Sequence, residues 1–89
     1  MSQRQKFLAQ LMAVSPSATL DFGALVNLLL FLGFKQRING SHHIFTRSGV
    51  KEIINIQPAV GDTVKSYQAK QIRELIRSYN LAAGIFPEL

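Results

Sequence analysis

Apolar residues recur at helical spacing over residues 4–14, where Phe7, Leu8, Leu11 and Met12 share one face and Gln5, Lys6 and Gln10 fall elsewhere. The pattern predicts an amphipathic first helix, broken by Ser15, Pro16, Ser17, Ala18 and Thr19 because proline disfavours helical geometry in the residue before it. A second helix is predicted over 22–32, with the Asp21 carboxylate as N-cap and Gly33 as its stop. Leu25, Val26, Leu28, Leu29, Leu30, Phe31 and Leu32 leave this helix almost no polar face, so a sheet on one side cannot cover it alone. The apolar stripe of the first helix is the economical cover, and a second copy or a partner protein is the rival.

After Gly33 the period drops to two. Phe34, Gln36 and Ile38 alternate with Lys35 and Arg37 in a first strand that ends at Asn39-Gly40, a dipeptide suited to a hairpin turn. A second strand follows over 42–47, Ser48-Gly49 turns the chain, and a third strand over 52–57 is closed by Pro58. The loop 59–63 leads to a cap at or near Ser66. A last helix then carries Ile72, Leu75, Ile76 and Tyr79 on one face and Lys70, Arg73, Glu74 and Arg77 on the other, up to Asn80. The tail 81–89 is expected to be irregular and docked by Ile85 or Phe86. This order predicts an α+β fold: a three-stranded antiparallel sheet with helices on one face, plus an extra N-terminal helix, and the other face open for binding. Residues 1–89 read as one domain, with 1–18 a helical extension, 19–81 the core and 82–89 the tail.

Composition sharpens this in three ways. A hydrophobic fraction of 47% against 17% charged residues supports a packed core rather than a disordered chain. With no cysteine, neither disulfides nor a zinc-thiolate site can staple the domain, which suits a cytoplasmic location. The basic N-terminus is not followed by a sustained secretory core, and the apolar stretch 24–34 is interrupted by Asn27 and Gly33 well short of the roughly 20 residues a membrane span needs. The formal charge of +5 directs attention to a polyanionic partner such as nucleic acid or an acidic protein.

Side chains suited to acid–base work are few. His42 and His43 are adjacent, and strand neighbours point to opposite faces, which argues against a shared site or a chelated metal. The five carboxylates form no dyad spacing, and neither a phosphate loop nor a nucleophile elbow occurs. What remains is His42, at the start of a strand after the Gly40-Ser41 turn, in a segment rich in lysine and arginine. An imidazole beside a bound phosphodiester is suited to take the proton of a ribose 2′-hydroxyl, a group that RNA has and DNA lacks.

The run Leu28-Leu29-Leu30-Phe31-Leu32-Gly33-Phe34, followed by Asn39-Gly40-Ser41-His42-His43-Ile44-Phe45-Thr46-Arg47, resembles the core of the HicA (YcfA-like) toxin family. Asn55-Ile56-Gln57-Pro58 and the run from Val64 to Arg73 look like the C-terminal half of one branch of it, so that the resemblance spans roughly 20–81. It implies a double-stranded-RNA-binding-like fold, ribonuclease activity on messenger RNA, and neutralisation by a HicB-like antitoxin; from the residues themselves no metal or other cofactor is expected. It also implies that the catalytic histidine falls on His42, with Gly40 and Ser41 forming the turn that positions it. Members with the histidine one place later keep His43 as a second candidate. Two features depart from the family: the longer segment before Ser15, and the 61–65 loop that replaces a Lys-Gly-Thr pattern, so loop contacts do not carry over.

The expected mechanism is transesterification, with His42 as base and Arg47, Lys65 or Lys70 stabilising the phosphoryl charge; His43 and Tyr67 are further candidates for RNA contact. A catalytically silent RNA-binding module of the same shape is one rival. An interaction protein working through its apolar first or second helix, including a homodimer through those helices, is another.

Overall fold

The computed structural model describes residues 2–13 and 19–83. The proposed helix breaker at 15–18 and the docking of the tail by Ile85 or Phe86 lie outside the described residues.

The first helix, α1 (Gln3–Met12), begins with a reciprocal cap. The Ser2 hydroxyl accepts from the Gln5 amide at 3.1 Å, and the Gln5 side chain accepts from the Ser2 amide at 3.0 Å. Helix α2 (Phe22–Phe31) starts as expected from Asp21, whose carboxylate accepts from the Ala24 amide at 2.8 Å. Three strands follow, β1 (Lys35–Asn39), β2 (His42–Arg47) and β3 (Val50–Ile56), paired antiparallel in the order β1-β2-β3. Helix α3 (Ser66–Ser78) completes the fold; its N-cap is Lys65, which makes no side-chain cap bond, rather than Ser66. The α+β class read from the sequence is the class observed.

Two boundaries differ from expectation, each for a packing reason. Strand β3 starts two residues early because Val50 is buried opposite Arg47, and a register shift between Phe45 and Arg47 accommodates the extra length. The first hairpin turns on Gly40-Ser41, since Asn39 pairs with His42. Gly40 has φ +62 and Ser41 is not among the residues with positive φ, which is the Gly-first, type II′ pattern.

Burial alternates along the strands and assigns the faces. Phe45, Ile54 and Ile56 point inward into the helix layer and are fully buried, while His42, Thr46, Ile53 and Asn55 are exposed on the outer face. Helix α1 lies against α2 and α3, burying Phe7, Leu8 and Leu11 in the same core as Leu25, Leu28 and Ile72. The extension is therefore part of the core, and most of the apolar surface that suggested self-association is used within the chain. Phe31 stays partly exposed under the Arg4 guanidinium, 3.9 Å from the ring centroid. Arg73 Nε donates to the Leu11 carbonyl at 2.7 Å and Arg77 to the Met12 carbonyl at 3.4 Å, so two α3 cations satisfy the open C-terminal end of α1.

The ends of the elements are tied as well. The Phe22 amide donates to the Asp62 carbonyl at 2.8 Å and the Val64 amide to the Leu20 carbonyl at 2.9 Å, which pins the β3–α3 loop to the entrance of α2. At the other end of the sheet the Tyr79 hydroxyl donates to Glu52 at 2.5 Å and accepts from the Lys51 amide at 3.3 Å. The hydrogen bond to the Glu52 carboxylate holds the Tyr79 phenol above its ordinary range. Both α2 and α3 therefore run from the end of the sheet that carries the histidines toward the opposite end. Among the described residues no helix is long and apolar enough to cross a membrane.

Candidate functional site

His42 is the first residue of β2, and the two-residue turn before it determines that its ring emerges on the outer face. Its hydrogen-bond partners come from across the sheet. Nδ1 lies 3.0 Å from Asn55 Oδ1, and Nε2 lies 2.8 Å from Gln57 Nε2, which is also 3.3 Å from the Ser41 hydroxyl and from Nδ1. The Asn55 oxygen can only accept and the Gln57 amide nitrogen can only donate. The two short contacts are met together by one neutral tautomer, with the proton on Nδ1 and the lone pair on Nε2. That is an imidazole on the exposed face whose Nε2 lone pair accepts from the Gln57 amide while a carbonyl holds Nδ1–H, the relation a general base has to its orienting group.

His43 behaves differently. Its half-buried ring is on the inner face, edge-on to Phe22 with centroids 5.0 Å apart, and Nδ1 contacts Gln36 Nε2 at 2.9 Å. It links sheet to helix layer and faces away from the His42 side.

The cations expected around the site are spread apart. Arg47 is five positions from His42 on the same strand, hence about 16 Å away and on the opposite face by alternation. Lys65 is half-buried at the start of α3, Lys70 is exposed one turn further on, and Tyr67 is 65% exposed in the first turn. All three belong to the helix layer, and none hydrogen-bonds to His42. Of the two β1 cations on the outer face, Lys35 and Arg37, the nearer to His42 is Arg37. It pairs with Ile44 on β2, which makes it the diagonal neighbour of His42 at about 7–8 Å between Cβ atoms.

Asn55, Gln57 and Arg37 were thus missed as site residues. Arg37 could have been found by carrying the strand alternation across the Gly40-Ser41 turn. Asn55 and Gln57 depend on the β2–β3 register, for which the sequence holds no local signal. Among the described residues no three histidine, aspartate, glutamate or cysteine side chains converge on a point that could hold a metal ion. Comparison with family models, with curated proteins and with solved structures finds no match to this chain.

Proposed function

We propose that the chain is an endoribonuclease of the HicA type, cleaving messenger RNA with His42 as its base and held in check by a HicB-like antitoxin. The observation that carries this reading is the exposed His42 ring, whose Nε2 lone pair is covered only by the side-chain amide of Gln57 at 2.8 Å while Asn55 holds Nδ1–H at 3.0 Å. The order of elements in the α+β fold is compatible with a double-stranded-RNA-binding-like arrangement.

In the proposed reaction an RNA 2′-hydroxyl displaces the Gln57 amide from Nε2 and gives up its proton there. The 2′-oxygen attacks the adjacent phosphorus, the bond from phosphorus to the 5′-oxygen breaks, and the imidazolium returns the proton to that leaving oxygen. The products are a 2′,3′-cyclic phosphate and a 5′-hydroxyl end. Arg37, on the same face, supplies positive charge toward the phosphoryl oxygens. A single base contributes about 10²–10⁴-fold, so turnover is slow.

One observation favours a silent RNA-binding module instead: both ring nitrogens of His42 already have neutral amide partners, which also suits a structural histidine. The same experiment separates the two. Expressed in a bacterial host, the parent arrests growth and His42→Ala does not, and the purified parent leaves cyclic-phosphate ends on RNA. Cleavage by His42→Ala at the parental rate overturns the assignment.

A further inference from the structure

At the end of β2 away from His42, an opening of about 390 Å³ is lined by Gly33, Lys35, Thr46, Arg47 and Ser48. Two cations and two hydroxyls therefore border one solvent-accessible space. Arg47 is half-buried, and unlike Arg73 and Arg77, which are engaged with α1 carbonyls, its guanidinium makes no hydrogen bond to another described residue. Gly33 has φ +98, a backbone conformation that favours glycine, and the Arg47 stem packs close against it, with Nε 3.2 Å from where a Cβ would stand.

The position just beyond α2 also admits a dull explanation, a cation opposite the negative end of a helix. That end carries roughly half a unit charge. One cation would more than balance it, whereas Arg47 and Lys35 together leave the opening clearly positive. Planar guanidinium donors beside hydroxyls fit the oxygens of a phosphate group.

We propose that this opening is a phosphodiester subsite, occupied by a backbone phosphate of the same nucleic-acid strand that passes His42. Lys35 and Thr46, a cross-strand pair, border the opening on the same outer face as His42 and Arg37, while Arg47 borders it from the other face at the strand end; the distance of about 16 Å along β2 sets a minimum length of strand for full affinity. The inference rests on the nucleic-acid reading of the His42 face but not on cleavage there.

The test is a binding measurement on a strand that lacks the 2′-hydroxyl and so escapes the proposed chemistry. Fluorescence anisotropy with a labelled single-stranded DNA octamer, repeated across salt concentrations, gives the slope of log affinity against log salt. Each phosphate contact contributes about 0.7 to that slope for a single strand. Lys35→Gln and Arg47→Gln are each expected to reduce it by about 0.7, Lys6→Gln on α1 to leave it unchanged, and a dinucleotide to bind the parent and Lys35→Gln alike. Circular dichroism checks the fold of Arg47→Gln; Lys35 is exposed, so its variant keeps the test decisive if Arg47→Gln unfolds. Unchanged slopes for Lys35→Gln and for folded Arg47→Gln overturn the proposal. So does an equal reduction by Lys6→Gln, or Arg47-dependent binding of a polyglutamate peptide by a protein that ignores the DNA. Loss of growth arrest in His42→Ala combined with unchanged slopes removes the subsite alone; altered slopes with cleavage unaffected in His42→Ala remove the nuclease reading alone.

Discussion

Replacing Asn55 with alanine removes the carbonyl that holds the proton on His42 Nδ1. The contact is 3.0 Å long, between neutral groups on an exposed face, so its net worth is about 1 kcal/mol. That amounts to about a fivefold change in the balance of the two neutral tautomers, and, where the Nδ1–H form predominates in the parent, a fall of about two- to threefold in the fraction of rings that present a lone pair at Nε2. Asn55→Ala is therefore expected to lower kcat for RNA cleavage by about two- to threefold with KM little changed, against the scale of about 10²–10⁴-fold expected for loss of the base itself. Asn55→Asp restores an acceptor at the same place and, being charged, binds Nδ1–H more strongly, so it should recover the parental rate. Long-range ¹H–¹⁵N NMR of the His42 ring reads the tautomer directly, without reference to activity. A parent that carries its proton mainly on Nε2, or an alanine variant with unaltered tautomer balance and unaltered kcat, refutes the reasoning.

Two further outcomes concern the scaffold. Leu11 is fully buried between α1 and the rest of the core, and Leu11→Ala is expected to cost about 3 kcal/mol, which lowers the thermal midpoint by about 12–24 °C for a domain of this size. A drop of less than about 4 °C in a circular-dichroism melt would show that α1 does not pack in solution as described. Tyr79 ionises above its ordinary value of 10.0 because it donates to Glu52, so Glu52→Gln should shift the ultraviolet titration of this phenol downward. Since the folded value is the raised one, the stabilisation is complete below 10.0 and is lost as pH climbs through the folded value. The urea midpoints of the parent and Tyr79→Phe should accordingly converge between pH 9 and strongly alkaline pH, and a constant gap contradicts the linkage.

The elements themselves were legible because each announces its own period: the stripe of Phe7, Leu8 and Leu11, the alternation after Gly33, and the spacing of Ile72, Leu75 and Ile76. So was the cover that α1 provides for α2, since a helix with no polar side demands it. The Ser2–Gln5 cap was also there to be read, as a serine three residues before a glutamine. Less legible was anything that depends on residues far apart in the chain. Arg73 and Arg77 look like surface cations until α1 is seen to end beside them, and Asn55 looks like a strand residue until β3 pairs with β2. Arg47 drew attention by lying close to His42 in sequence. Strand geometry separates the two by the length of β2 and by the thickness of the sheet, and places Arg37 and Lys35 on the outer face instead.

The hairpin at Gly40-Ser41 decides which of two identical rings meets water. Dropping one residue from that bend would invert the strand's facing, sending His42 under the sheet and bringing His43 out. Since β3 stays in place, that slide would carry His43 from opposite Ile56 to opposite Gln57, the position His42 holds now. The same slide would draw Phe45, wholly enclosed at present, out to water, so the length of the bend keeps the outward imidazole and the inward phenyl ring in step.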